Sequence, residues 1–154
     1  RAVTVPVLRK DFIVSPYQIY EARACCAAAI LLICPILTAA QLEAYFTLAD
    51  SLGFSLLVDD PDAGEVRRAR QRGSRVIGVN NRNLKDFTVS LDTSCHLREL
   101  VPPEVLFVAE SGIRTRDHVA RLEAHGVDAV LIGETLMRAA DKRQMLATLA
   151  GDRP

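Results

Sequence analysis

Short apolar runs alternate with longer helical patterns six times along this chain, and all but the second of these runs lead directly into polar residues. That alternation indicates parallel strands joined by crossover helices, because a parallel pair cannot be closed by a tight turn. Strands are predicted near 5–9, 29–34, 55–59, 76–80, 106–110 and 129–132, and helices near 16–27, 38–52, 62–73, 92–100, 115–125 and 141–150. Strand centres such as Ala29 to Ile33 are apolar at successive positions, so both faces of the sheet must be covered. Ser15 before Pro16, and Thr38, stand where helix caps are needed. Gly53, Gly73 and Gly126 stand where helices hand over to the next strand, the place for a left-handed terminator.

Two architectures cover a parallel sheet on both faces. A doubly wound dinucleotide fold would carry G-x-G-x-x-G after its first strand, and this chain has none. The α/β reading is therefore a (β/α)8 TIM barrel. Eight units take roughly 250 residues, whereas the 154 residues here hold about six, so an incomplete barrel forming a single domain over residues 1–154 is expected. About half the residues are apolar, enough for a real core. Nineteen basic side chains balance nineteen acidic ones, so no overall field recruits nucleic acid or an anionic membrane. Neither a secretory leader nor an apolar run of roughly 18 residues is present, and a cytoplasmic location is expected. Cys25, Cys26, Cys34 and Cys95 lack metal-ligand spacing and read as reduced structural thiols. His96, His118 and His125 fall in predicted helices or at their ends, away from the polar strand ends. No metal site is expected.

Chemistry in such folds gathers at the carboxyl ends of the strands. Lys10 follows the apolar run from Val5 and could protonate a reacting group or hold an anion; a solvated lysine or an ion pair with Asp11 is the alternative. Asp59 and Asp60 end the third strand. Asp60 suits a helix cap, whereas Asp59, nearer the strand, suits acid/base work. Asn80, Asn81, Arg82 and Asn83 follow the fourth strand, where Arg82 could clamp a carboxylate and an asparagine orient a hydroxyl, although loops are rich in asparagine for other reasons. Glu110, Ser111 and Gly112 end the fifth strand, with Gly133 and Glu134 after the sixth. Small residues on the last two strands are where barrels assemble phosphate sites.

Taken together, the segments PVLRKDFI (6–13), YQIYEAR (17–23), IGVNNRNL (77–84), AESGI (109–113) and DAVLIGE (128–134) resemble the indole-3-glycerol phosphate synthase family over nearly the whole chain. The resemblance implies a (β/α)8 barrel that converts 1-(2-carboxyphenylamino)-1-deoxyribulose 5-phosphate to indole-3-glycerol phosphate, carbon dioxide and water in tryptophan biosynthesis. It implies no metal and no organic cofactor. The partner it implies is a small phosphorylated substrate. Carried over by position, Lys10 is similar to the family's general acid, Asp59 stands at its dehydration carboxylate, and Asn80 and Glu110 at further catalytic positions. Phe12, Leu31 and Arg82 would contact substrate, while Ser111, Gly112, Gly133 and Glu134 would border its phosphate.

Three departures carry expectations. Asp59 replaces the family's usual glutamate and is one methylene short. Cys26 and Ala28 stand where glycine and aspartate are usual, so strain is expected at Cys26. The family's first two barrel units, with a glutamate, a second lysine and a serine-containing loop, have no counterpart here. The expectation is therefore a carboxyl-terminal portion that has little activity alone, completed by the missing units or self-associating through open strand edges. A relic acting only as an interaction module is the alternative. A sequential isomerase of the same pathway fits less well, because it would not call for both the LRKDF and NNRNL segments.

Overall fold

All six predicted strands form, and they pair in parallel in the order of the chain. This computed structural model describes residues 3–59, 75–83 and 86–151. The strands are β1 (Leu8–Arg9), β2 (Ala29–Ile33), β3 (Ser55–Asp59), β4 (Val76–Asn80), β5 (Leu106–Glu110) and β6 (Ala129–Leu131). The described helices are α1 (Pro16–Ala24), α2 (Ala39–Ser51), α3 (Asp92–Arg98), α4 (Arg116–Ala124), α5 (Glu134–Arg138) and α6 (Lys142–Ala150). A doubly wound sheet reverses its strand order at a switch point, where helices change face. Here the order never reverses, as in a barrel wall.

Register sorts the side chains into two layers. Ile33, Asp59 and Gly78 are successive partners across β2, β3 and β4, and Asn80, Glu110 and Leu131 are successive partners across β4, β5 and β6. Leu31, Ile33 and Leu57 form a buried inner cluster, with Leu8, Val76, Val108 and Leu131 packed against it. The intervening positions point the other way: Ile30 and Leu32 pack with α1 and α2, and Ile77, Val79 and Phe107 pack with α3 and α4. Successive apolar residues in one strand thus serve two cores, which is why the strands do not alternate with polar positions.

Local chemistry sets the ends of the elements. Ser15 and Thr38 each form a capping box, with Gln18 and Gln41 respectively reaching back to the cap backbone. Gly53 and Gly126 take left-handed conformations after α2 and α4, as expected. The first strand is shorter than the predicted 5–9, since Pro6 has no N–H to give and β1 has only β2 beside it; Val7 still accepts from the Ala28 N–H at 2.9 Å. Two short elements were not anticipated: a 3₁₀ turn at Cys34–Ile36, entered through Pro35, and α5 directly after Gly133. The helix expected over 62–73, with Asp60 and Gly73, lies outside the described residues.

Candidate active site

Alternation along β1 decides which of two neighbouring cations faces the barrel interior. Leu8 points inward and Arg9 outward, where its guanidinium meets the Glu21 carboxylate at 2.6 Å, the Gln18 carbonyl at 3.0 Å and Asp11 at 3.1 Å. Arg9 is thereby tied to α1, and among the described residues the ion partner of Asp11 is Arg9. Lys10, one position on, turns back to the interior side and lines a cavity of about 340 Å³ at the carboxyl ends of the strands.

The same cavity receives Asn80 and Arg82 from the end of β4, Glu110, Ser111 and Gly112 from the end of β5, and Gly133 and Glu134 from the end of β6. Lys10 stands on one edge strand and Gly133 follows the other, so the sheet curls until its edges face a common space. Eight of the eleven residues singled out from the sequence meet here. Three do not line the cavity: Phe12 is exposed, Leu31 is buried in the inner apolar cluster, and Asp59 is buried level with Gly78, two residues short of Asn80.

Two carboxyls give the site its electrostatics. Asp59 Oδ1 and Glu110 Oε1 are buried and have no hydrogen-bond partner among the described residues. Burial raises the Asp59 pKa to about 6, against the opposing pull of Lys10. Burial first, and the Asp59 charge second, push Glu110 up to about 7, again against Lys10. A buried charge without a hydrogen bond is costly, so both carboxyls hold their protons to a higher pH than ordinary carboxyls do. A group poised near the working pH suits proton transfer.

The other side of the cavity is braced by hydrogen bonds. Asn81 is buried; its Oδ1 accepts from the Ser94 N–H (3.1 Å) and hydroxyl (2.7 Å), and its Nδ2 donates to the Ser111 carbonyl at 3.3 Å. Its backbone N–H donates to the Glu110 carbonyl at 2.8 Å. Ser111 and Gly112 are both left-handed, and the Val89 side chain occupies the space a Gly112 Cβ would need. Thr135 ties the start of α5 to this loop through the Ile113 carbonyl at 2.7 Å. Sequence reading names Asn81 within the polar loop but does not select it as a site residue, though an Asn-Asn pair at a strand end sends one amide to each face. Glu134 differs from its neighbours in engaging cations, meeting Arg82 at 3.3 Å and Arg138 at 3.0 Å.

A family model described as indole-3-glycerol phosphate synthase matches residues 1–149. The chain belongs to the indole-3-glycerol phosphate synthase family. It is 53% identical over 148 residues to the synthase of Leuconostoc mesenteroides, covering 96% of this chain and 56% of that protein. To the synthase of Ruminiclostridium cellulolyticum it is 52% identical over 151 residues, covering 98% and 58%. The chain thus spans a little over half the length of these curated relatives of the synthase family. Among solved structures, a mutant tryptophan synthase alpha-subunit from Pyrococcus furiosus superposes with a TM-score of 0.78 at 14% identity, covering 97% of this chain and 68% of that one. A mandelate oxidase mutant superposes at 0.81 with 22% identity, covering 97% and 57%. Those likenesses bear on fold alone, and with the strand order they establish an incomplete (β/α) barrel. No described helix is long and apolar enough to cross a membrane.

Proposed function

We propose that this chain supplies the carboxyl-terminal portion of an indole-3-glycerol phosphate synthase, acting on 1-(2-carboxyphenylamino)-1-deoxyribulose 5-phosphate. The observation that carries the reading is the meeting of Lys10, Asn80, Arg82 and Glu110 with the small residues Ser111, Gly112 and Gly133 around one cavity. The Lys10 ammonium donates a proton to the substrate carbonyl oxygen as the aromatic carbon attacks the carbonyl carbon and negative charge grows on that oxygen. The bond to the carboxylate then breaks, carbon dioxide leaves, and the electron pair returns to the ring. In the last step the new hydroxyl takes up a proton and departs as water, and the neighbouring methylene carbon beside the nitrogen in the new five-membered ring gives up a proton. Glu110, held near neutrality, transfers protons in that step, and Asp59 acts through it by charge rather than by touching substrate. Arg82 and Asn80 hold the substrate's polar groups, and Ser111, Gly112 and Gly133 receive its phosphate through backbone N–H groups and a hydroxyl. Phe12 and Leu31 belong to apolar walls that close on the anthranilate ring when the remaining barrel units are in place.

Glu134 requires a different part from the one its position suggests. A carboxylate repels a phosphate, and this one already pairs with Arg82 and Arg138. It borders the phosphate site as a tether for Arg82, and any contact with the anion runs through its backbone.

The deciding experiment is an indole-glycerol phosphate fluorescence assay on the purified chain alone and on the chain mixed with the amino-terminal units of the Leuconostoc mesenteroides synthase. Product in the mixture but not from the chain alone is the expected result. Absence of product from a folded, assembled mixture would discard the synthase reading in favour of an interaction module.

A further inference from the structure

Gly78 lies in the middle of the site's central strand, yet nothing in its backbone calls for glycine. It is absent from the positive-φ glycines, and it pairs in register with Asp59 on one side and Val108 on the other. What sets it apart is the space above it. A Cβ built on Gly78 would lie 2.5 Å from Glu110 Oε1 and 3.1 Å from Leu57 Cδ1. Glu110 springs from a point level with Asn80, two residues nearer the mouth, so its side chain leans back into the barrel and lays its carboxyl over the bare strand at Gly78. That is the level of Asp59. Any other residue at position 78 would fill the gap through which the carboxyl reaches this depth.

We infer that Gly78 is a positioning residue for proton transfer, its missing side chain allowing the Glu110 carboxyl to lie inside the barrel beside Asp59 rather than out in the mouth. The consequence is chemical. Depth removes water from the carboxyl and brings it within the field of the Asp59 charge, both of which favour the protonated acid. An alanine at 78 drives the carboxyl toward the wider, wetter mouth, nearer bulk solvent. Because the atom displaced is the far end of a flexible side chain, the substitution is accommodated by that movement rather than by a shift of the sheet.

This inference rests on the acid/base part proposed for Glu110, but its test does not depend on turnover. The carboxyl carbons of the 154-residue chain are titrated by ¹³C NMR, with Glu110→Gln used to assign the resonance. In the unsubstituted chain the Glu110 carboxyl is expected to titrate at about 7. In Gly78→Ala it is expected to fall by at least one pH unit toward the ordinary value of 4.5, while the exposed glutamates stay where they were. An unchanged Glu110 titration in folded Gly78→Ala would overturn the inference. Should Gly78→Ala fail to fold, the double variant Gly78→Ala/Glu110→Ala decides: recovery of the fold shows that the carboxyl was the obstacle, and continued failure shows that it was not. A moved titration together with no product in the complementation assay would leave the positioning role standing and remove the synthase reading.

Discussion

The two sides of the cavity are built on opposite electrostatic terms. Around the loops that follow β4, β5 and β6, polar groups are satisfied: buried Asn81 meets Ser94 and Ser111, half-buried Thr135 meets Ile113, and the more exposed Arg82 and Glu134 meet each other. Beneath them Lys10 reaches the mouth from β1, while Asp59 on β3 and Glu110, leaning in from the end of β5, keep buried oxygens without partners among the described residues. A site that must hold a phosphate gains from rigidity fixed in advance, since each donor ordered before binding is one the ligand need not order. Proton transfer needs the reverse, groups whose charged and neutral forms are close in free energy, and unrelieved burial supplies that. On the proposed function the contrast divides binding from chemistry, and variants on each part test that division.

The largest effect is expected from Lys10→Met in the complemented enzyme. Loss of a positioned proton donor lowers turnover by on the order of 10²- to 10⁴-fold, with little change in KM. Ser111→Ala on the braced side should raise KM and leave turnover nearly intact. Steady-state kinetics on the two variants checks the division, and equal losses in both parameters for both variants would erase it.

Next comes the stability of the chain against pH. Asp59 and Glu110 titrate at about 6 and about 7 when folded, against ordinary values of 3.8 and 4.5. The folded chain therefore binds more protons than the unfolded chain across that interval, and stability must fall as pH rises. The contribution is complete below about pH 4 and lost once pH passes about 7, in total on the order of a few kcal/mol at roughly 1.4 kcal/mol for each tenfold change in proton affinity. Urea denaturation at several pH values should show that decline, and Asp59→Asn/Glu110→Gln should flatten it. A decline that survives both substitutions would place its source elsewhere.

On the braced side, Asn81→Leu strands the Ser94 hydroxyl and N–H and the Ser111 carbonyl away from their partner. A loss of about 2 kcal/mol in urea denaturation is expected, the usual cost of leaving buried groups unsatisfied. Asn81→Asp keeps the acceptor for Ser94 but sets an oxygen against the Ser111 carbonyl, so its loss should shrink as pH falls and the acid gains a proton to donate there.

Much of this was legible in the sequence, and the reason is periodicity. The strands from 29 onward, the caps at Ser15 and Thr38 and the left-handed Gly53 and Gly126 each follow from a local rule that the chain obeys. Lys10 stands out over Arg9 by its place after the strand and by the family resemblance, and the direction of β1 supplies the physical reason: Arg9 points outward to Glu21. Asp59 and Glu110 were visible as carboxylates, but their depth was not, since the Glu110 carboxyl lies over a bare Gly78 on another strand. Asn81 was hidden for the same reason: its partners lie 13 and 30 residues away in sequence. Contacts made across units are what a linear pattern leaves out.

The smallest effect lies away from the site, at the end of α1, where satisfied and strained terms meet in one residue. Cys26 adopts φ 61°, the left-handed region, after the Cys25 cap, and its N–H donates to the Arg23 carbonyl at 2.9 Å while the Ala27 N–H donates to Ala22 at 3.0 Å. The turn is thus made in full, but by a residue whose Cβ crowds the backbone there. Glycine removes that crowding and also adds freedom to the unfolded chain, so the two effects partly offset. Cys26→Gly is expected to stabilise the chain by about 1 kcal/mol, read as a shift of the urea midpoint at constant slope. The titrations of Asp59 and Glu110 should not move, because α1 packs on the outer face of the sheet and both carboxyls lie on the inner one. If they did move, the two faces would be coupled through β2, and the separation of scaffold from chemistry would fail at its most remote point.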